Sequence, residues 1–219
     1  MNDHPVISCL GTSALLFDAT GATTLSTQQR IWALSHAVSG WPEIREAVPC
    51  LNNLLLFFSD TPPGKVEYLR EKLLEEWLKE ERLYLDGKVV ELRVDYGGEF
   101  GPRMEYVCEH TGLSIDEVVE LHSAPLYTVF GLGSHPGHCY LEGLDLRLTT
   151  PRRKVPILDN PKGSVAIGGS QTSVSASPGP SGWNQIGLTR KAFFDHTASA
   201  PALMQPGDKI RFCPEKVIR

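Results

Sequence analysis

The chain has 219 residues, 41% hydrophobic and 21% charged, with a net charge of −5, an ordinary globular composition that excludes wholesale disorder and has room for one large domain or two small ones. The absence of a dense Lys/Arg block argues against a nucleic-acid partner, and no segment approaches the roughly 20 apolar residues of a membrane span. The first residues lack a secretory leader pattern, and the five cysteines (Cys9, Cys50, Cys108, Cys139, Cys213) include no CxxC pair, so the expectation is a soluble, cytoplasmic protein with reduced thiols.

Val6 to Phe17 is apolar and reads as one strand. Ser26 and Gln29 form an S-x-x-Q capping pattern ahead of Ile31, Leu34 and Val38, which predicts a helix from about Thr27 to Ser39. Ile44–Val48 and Leu51–Ser59 read as strands, and 60–64 (Asp-Thr-Pro-Pro-Gly) as a turn. Val66, Leu69, Leu73 and Trp77 recur at helical spacing, so an amphipathic helix is expected from Lys65 to Arg82, its acidic side facing solvent. Val89–Val94 alternates as a strand. The order β-α-β-β-α-β suits a ferredoxin-like sandwich, with a first domain at 1–88 and a second at 89–219.

Tyr96 to Gly101 reads as a loop, followed by two short bridging helices, the second opened by a capping box at Ser114 and Glu117. Beyond Tyr127 the texture changes. Short apolar stretches at Leu126–Phe130, Leu144–Leu148, Ser164–Ile167 and Lys209–Phe212 are separated by Gly, Pro, Ser and Asn, which indicates a β-barrel or sandwich. The Ser/Gly/Pro-rich stretch Ser170–Ser181 reads as a long functional loop.

There is no P-loop, no GxSxG elbow and no HExxH. His135, His138 and Cys139 fall within five residues, with His122 a further donor, and this is either a weak transition-metal site or a plain turn. On a strand, Asp145 and Arg147 would share one face, either to orient a polar ligand or as a solvated salt bridge. Arg152 and Arg153 follow a proline and suit forked recognition of a carboxylate or phosphate, or a solvated loop. His122 lies on an apolar helix face, where a satisfied core histidine is the commoner reading. Gln171 and Trp183 flank the Ser170–Ser181 loop, where the indole either stacks on a flat ligand or anchors the loop.

Several runs together form a pattern. They are Leu121-His-Ser-Ala-Pro-Leu-Tyr127; Pro136-Gly137, Tyr140-Leu141, Gly143-Leu-Asp145, Arg147-Leu148 and Pro151-Arg152; Gly163-Ser-Val-Ala-Ile167, Gln171-Thr172, Gly182-Trp183, Ile186-Gly187 and Thr189; and Pro206-Gly-Asp208. The pattern resembles the B-type component of bacterial 5-oxoprolinase, a family also described as allophanate hydrolase subunit 1 and as a carboxyltransferase-domain subunit, and which includes the sporulation-kinase inhibitor Kip. The resemblance implies an α+β chain, a small N-terminal α/β domain followed by a cyclophilin-like barrel. It implies a subunit of an ATP-dependent amide hydrolase, not catalytic alone, working with a C-type partner (allophanate hydrolase subunit 2) and a third subunit. ATP would serve at the level of the complex, with no metal or biotin on this chain. His122, Asp145, Arg147 and Arg152 would be catalytic positions, and Tyr140, Gln171, Trp183 and Thr189 substrate-binding ones. The alternative the resemblance carries is a protein-binding regulator such as a histidine-kinase inhibitor, with a degenerate site. The sequence departs from the family pattern at Ser134 and His138, where aromatics are usual, at Arg103-Met104, at Val174-Ser-Ala176 and at Leu188, in place of an arginine. The changes at Leu188, Ser134 and Ser175 are expected in motif loops rather than core strands.

Overall fold

The computed structural model describes residues 4–59 and 63–219, and the chain divides into two compact units, 1–84 and 85–219. The first is built from β1 (Val6–Leu10), β2 (Ala14–Asp18), α1 (Leu25–Val38), β3 (Ile44–Cys50), β4 (Asn53–Phe58) and α2 (Val66–Trp77). Its strands form one antiparallel sheet in the order β1-β2-β4-β3. Alternation along β4 buries Leu54, Leu56 and Phe58 with Leu15 and Phe17 of β2, against Ile31, Leu34 and Val38 of α1 and Leu69, Leu73 and Trp77 of α2. These side chains carry the unit's hydrophobic stabilisation.

The composition of two helices and four strands agrees with expectation, but the order does not. Val6–Phe17 is a hairpin rather than one strand, because Gly11 takes φ +59° and reverses the chain into Cys9↔Leu15 pairing. The strand beginning at Val89 pairs in the second unit. The first unit is therefore β-β-α-β-β-α, not β-α-β-β-α-β.

Helix α1 starts two residues earlier than predicted. Thr24, extended at φ −131°, is the cap, and its hydroxyl accepts from the Thr27 amide at 3.1 Å. Thr24→Ala is expected to cost about 1 kcal/mol in chemical denaturation, the usual value of such a cap, while Ser26→Ala costs little. Helix α2 stops at Trp77, short of Arg82, as Glu80 adopts φ +56° and cannot continue a right-handed helix. Of the predicted turn at 60–64, residues 60–62 lie outside the described residues.

The second unit is a closed seven-stranded barrel. Its strands are β5 (Val89–Gly97), β6 (Tyr127–Leu132), β7 (Cys139–Glu142), β9 (Ser164–Gly168), β10 (Gln171–Val174), β12 (Asn184–Leu188) and β13 (Lys209–Ile218). They run in the order β10-β7-β6-β13-β5-β12-β9, and closure leaves no edge strand. β5 and β13 are parallel, and the other neighbours pair antiparallel. A two-stranded ribbon, β8 (Ile157–Asn160) with β11 (Gly179–Ser181), stands beside the barrel. The helices α3 (Met104–Thr111) and α4 (Ile115–Ser123) belong to this unit, and α4 opens with the predicted capping box: Ser114 Oγ accepts from the Glu117 amide, and the Glu117 carboxylate accepts from the Ser114 amide. Leu92, Val94, Tyr96, Val129, Leu141, Val165, Ile167, Ile210 and Phe212 are buried in its core. Among the described residues no helix is long and apolar enough to cross a membrane.

The predicted strand Leu144–Leu148 is instead a 3₁₀ turn at Leu146–Leu148. Asp145 caps it, accepting from the Arg147 amide at 2.9 Å, the local bond that draws Asp into turns. Leu148 is buried while Leu146 is 75% exposed, so the leucines do not share a face.

Candidate functional site

His122, on the buried face of α4, is fully enclosed. Its Nδ1 lies 2.8 Å from Tyr96 Oη and its Nε2 2.9 Å from Thr172 Oγ1. Thr172 Oγ1 donates onward to the Ala166 carbonyl at 3.1 Å. One proton arrangement satisfies the whole line: Tyr96 donates to Nδ1, Nε2–H donates to Thr172, and Thr172 donates to the carbonyl. The imidazole is thus neutral, and burial pushes its pKa down to about 3. Four elements (β5, α4, β10 and β9) are joined through it. His122 is a satisfied core histidine, and it does not line the cavity described below.

Asp145 and Arg147 form their own ion pair, with Nε to Oδ1 at 2.9 Å and Nη2 to Oδ2 at 2.6 Å. That bidentate pair, with the capping bond, holds the Asp145 pKa down to about 2. Thr189 is buried, and its amide donates to the Gly163 carbonyl. Gln171 opens β10 opposite Gly168.

The other predicted residues do converge. Tyr140, Arg152 and Trp183, with His135 and His138, line a cavity of about 420 Å³ in the second unit, together with Asn160, Ser173 and the 177–182 stretch. The geometry follows from how three segments are laced together. Thr150 exchanges both backbone hydrogen bonds with Gly169, the Arg153 amide donates to the Gly182 carbonyl, and Asn184 Nδ2 donates to the carbonyls of Pro151 and Ile167. This carries Arg152 over the Trp183 indole, its guanidinium 5.0 Å from the ring centroid, in cation–π contact. Gly168 is the floor under that ring: a Cβ there would stand 2.6 Å from Trp183 Cδ2. Gly168→Ala is therefore expected to unseat the indole and weaken ligand binding tenfold to about a hundredfold, as a misplaced positioning group does, read by calorimetric titration.

Electrostatically the cavity is simple. Among the described residues Arg152 is its one formal cation, and none of its lining is a carboxylate. Burial, and then the neighbouring His135, press the His138 pKa down to about 4, and burial lowers that of His135. Both rings are neutral at physiological pH, with centroids 4.7 Å apart. Asn160 is 2% exposed; its Nδ2 donates to Ser175 Oγ at 2.7 Å, while its buried Oδ1 has no hydrogen-bond partner among the described residues. The cavity thus offers a forked cation, a flat aromatic wall and hydroxyls, and Asn160 Oδ1, His135 Nε2 and His138 Nδ1 are buried in its wall without hydrogen-bond partners among the described residues. It matches a small anion that also carries an N–H or O–H donor. For a metal, His135 and His138 lack a third ligand: no group of three or more His, Cys, Asp or Glu side chains suited to one occurs among the described residues. Cys139, buried and with its thiol pushed up to about 12, is inert.

Residues 5–204 match the family pattern of the carboxyltransferase domain, subdomain C and D. The B-type component of 5-oxoprolinase from Escherichia coli O157:H7 is 39% identical over 207 residues, 94% of each chain. The chain belongs to this carboxyltransferase-domain family. Among solved structures of similar fold, TTHA0988 is 30% identical at a TM-score of 0.77, over 93% of this chain but 40% of its own. The urea carboxylase of Kluyveromyces lactis shares the fold at 18% identity and a TM-score of 0.81, with this chain spanning 22% of it.

Departures from the usual family pattern cluster here. Ser134, His138 and Ser175 all line the cavity. Leu188 does not: it lies in β12, a barrel strand paired with Ser164 and Asp95, so the expectation that it falls in a motif loop is corrected. Sequence reasoning missed Asn160, the last residue of β8. The Ser170–Ser181 stretch does contribute cavity wall, but it contains two strands, β10 and β11, rather than a continuous loop.

Proposed function

We propose that this chain is a subunit of a 5-oxoprolinase-type amide hydrolase, and that its cavity holds a small carboxylate-bearing amide. The supporting observation is Arg152, held over Trp183 in a cavity that no carboxylate lines among the described residues. The ligand carboxylate pairs with the guanidinium fork, the flat amide lies along the indole, and an amide N–H meets the hydroxyl oxygens of the wall. Tyr140, His135 and His138 shape the remaining wall. The neutral imidazoles supply hydrogen bonds without repelling the cation beside them. Asp145 and Arg147 act outside the cavity as a turn clasp, and Gln171 and Thr189 act through the strands that carry the walls.

The reading extends to a C-type partner and to ATP used by the complex. A triphosphate does not fit this cavity: one arginine against several phosphate charges, with no Gly-rich loop at a helix N-terminus, is too little. ATP is assigned to another subunit. The test is co-expression with the C-type subunit encoded nearest to this chain, then ATP-dependent turnover of 5-oxoproline after addition of the third subunit. Turnover is expected. A stable complex that never opens 5-oxoproline would exclude that substrate, and failure to form any complex would favour the free-standing regulator.

A further inference from the structure

A second surface of the barrel unit is built unlike the rest of the chain. A groove of about 350 Å³ is lined by Arg103, Tyr106, Arg152, Arg153, Lys154 and Val155, with Pro151. Four of these are cations and none is a carboxylate, in a chain whose net charge is −5. None of the four makes an ion pair among the described residues: the Arg103 guanidinium stacks on Tyr106 at 4.1 Å, Arg152 lies over Trp183, and Arg153 Nε donates to the Val155 carbonyl. Uncompensated like charges so close together repel one another, and a chain that keeps them has an external anion to gain.

Apolar side chains stand in the same stretch. Val155 and Leu158 are each 76% exposed, among the most exposed large hydrophobic residues of the described chain. Single exposed apolar residues are ordinary, but Val155 lines the cationic groove and Leu158 follows three positions on in the chain, which gives the anatomy of an interface: an apolar centre with a charged rim. Arg152 lines both this groove and the candidate cavity. Whatever seats in the groove lies beside the cavity mouth.

We infer that the surface formed by Arg103, Tyr106 and residues 152–158 is the docking face for the second subunit of the complex, which presents an apolar patch rimmed by carboxylates. The inference rests on the reading of this chain as a complex subunit, and it adds the place and chemistry of the contact. Charge complementarity selects the partner: an acidic rim pairs the four cations, and Val155 and Leu158 enter its apolar centre. Seated there, the partner excludes water from the side of the cavity where Arg152 reaches, and the arginine's interaction with an anion strengthens. The cavity of the isolated chain is thus incomplete without its partner.

The test measures binding of the co-expressed C-type subunit to the full chain and to two double variants, V155E/L158E and R153E/K154E. Lys154, Val155 and Leu158 are exposed and Arg153 is half-buried, so unchanged melting temperature and elution volume are the control for folding. V155E/L158E is expected to weaken binding about a hundredfold, as loss of central apolar anchors does. R153E/K154E is expected to slow association about tenfold at low salt, and the difference should close at high salt. Wild-type binding with both variants within about twofold of it would overturn this docking face while leaving the proposed function standing. No binding by the wild type would overturn both. Self-association of the wild type that V155E/L158E abolishes would overturn it in favour of a second copy of this chain.

Discussion

His122→Ala is expected to destabilise the barrel unit by about 3–5 kcal/mol, the range for breaking a buried hydrogen-bond line and leaving a void. The variant strands Tyr96 Oη and Thr172 Oγ1 in a core where both residues are fully buried. It also removes a ring packed 4.5 Å, centroid to centroid, from Phe212. The effect depends on pH, and its sign is fixed. The folded imidazole titrates at about 3, whereas an unfolded histidine titrates at about 6.5. Above pH 6.5 neither state is protonated and the full contribution is present. Below it the unfolded chain takes up a proton that the folded chain refuses, so the contribution falls as pH drops toward 3, by up to about 1.4 kcal/mol per pH unit. His138, pressed down to about 4, works in the same direction. Urea denaturation of wild type and His122→Ala at pH 7.5 and 5.5 separates the terms: the stability difference shrinks by about 1–1.5 kcal/mol at the lower pH. A solvent-facing proton-transfer histidine would give the opposite result, a normally folded variant that loses only turnover.

Arg152→Ala is expected to lower kcat/KM of the reconstituted complex by tenfold to about a hundredfold. Deleting the charged partner of a ligand carboxylate costs about 1.5–3 kcal/mol, and most of the loss should fall on KM, since the carboxylate is bound equally in ground and transition states. Arg152→Lys restores only part of it: an ammonium keeps the charge but not the fork, nor the flat stacking on Trp183. Trp183→Leu should fall between the two. Arg147→Ala is the contrasting control. Its guanidinium is committed to Asp145, and neither residue lines the cavity, so turnover should stay within about twofold, the scatter expected of an exposed ion pair.

Periodicity made much of this legible. The amphipathic run Val66–Trp77, the Ser114–Glu117 box and the Gly/Pro-punctuated barrel strands are local signals, and each appears where local chemistry puts it. Partner choice between strands is not local. Nothing in Val89–Val94 itself says that it pairs with Lys209–Pro214 rather than with the first sheet. Leu144–Leu148 alternates like a strand, but the Asp145 side chain competes for the backbone and wins. At the site, charged and aromatic residues were visible as types, so Arg152, Trp183, Tyr140 and the histidines could be named. Asn160 could not, because what brings it into the cavity wall is the surrounding fold and not its residue type. His122 shows the reverse: an ionisable residue beside a strong motif, whose burial makes it structural.

The most direct test of the Arg152 cavity as the substrate site is a crystal structure of the chain in complex with its C-type subunit, grown with 5-oxoproline. Ligand density is expected in the cavity, its carboxylate on the Arg152 guanidinium and its ring along Trp183. Ligand bound elsewhere in the complex, with Arg152 still over Trp183 and the cavity holding solvent, would contradict it.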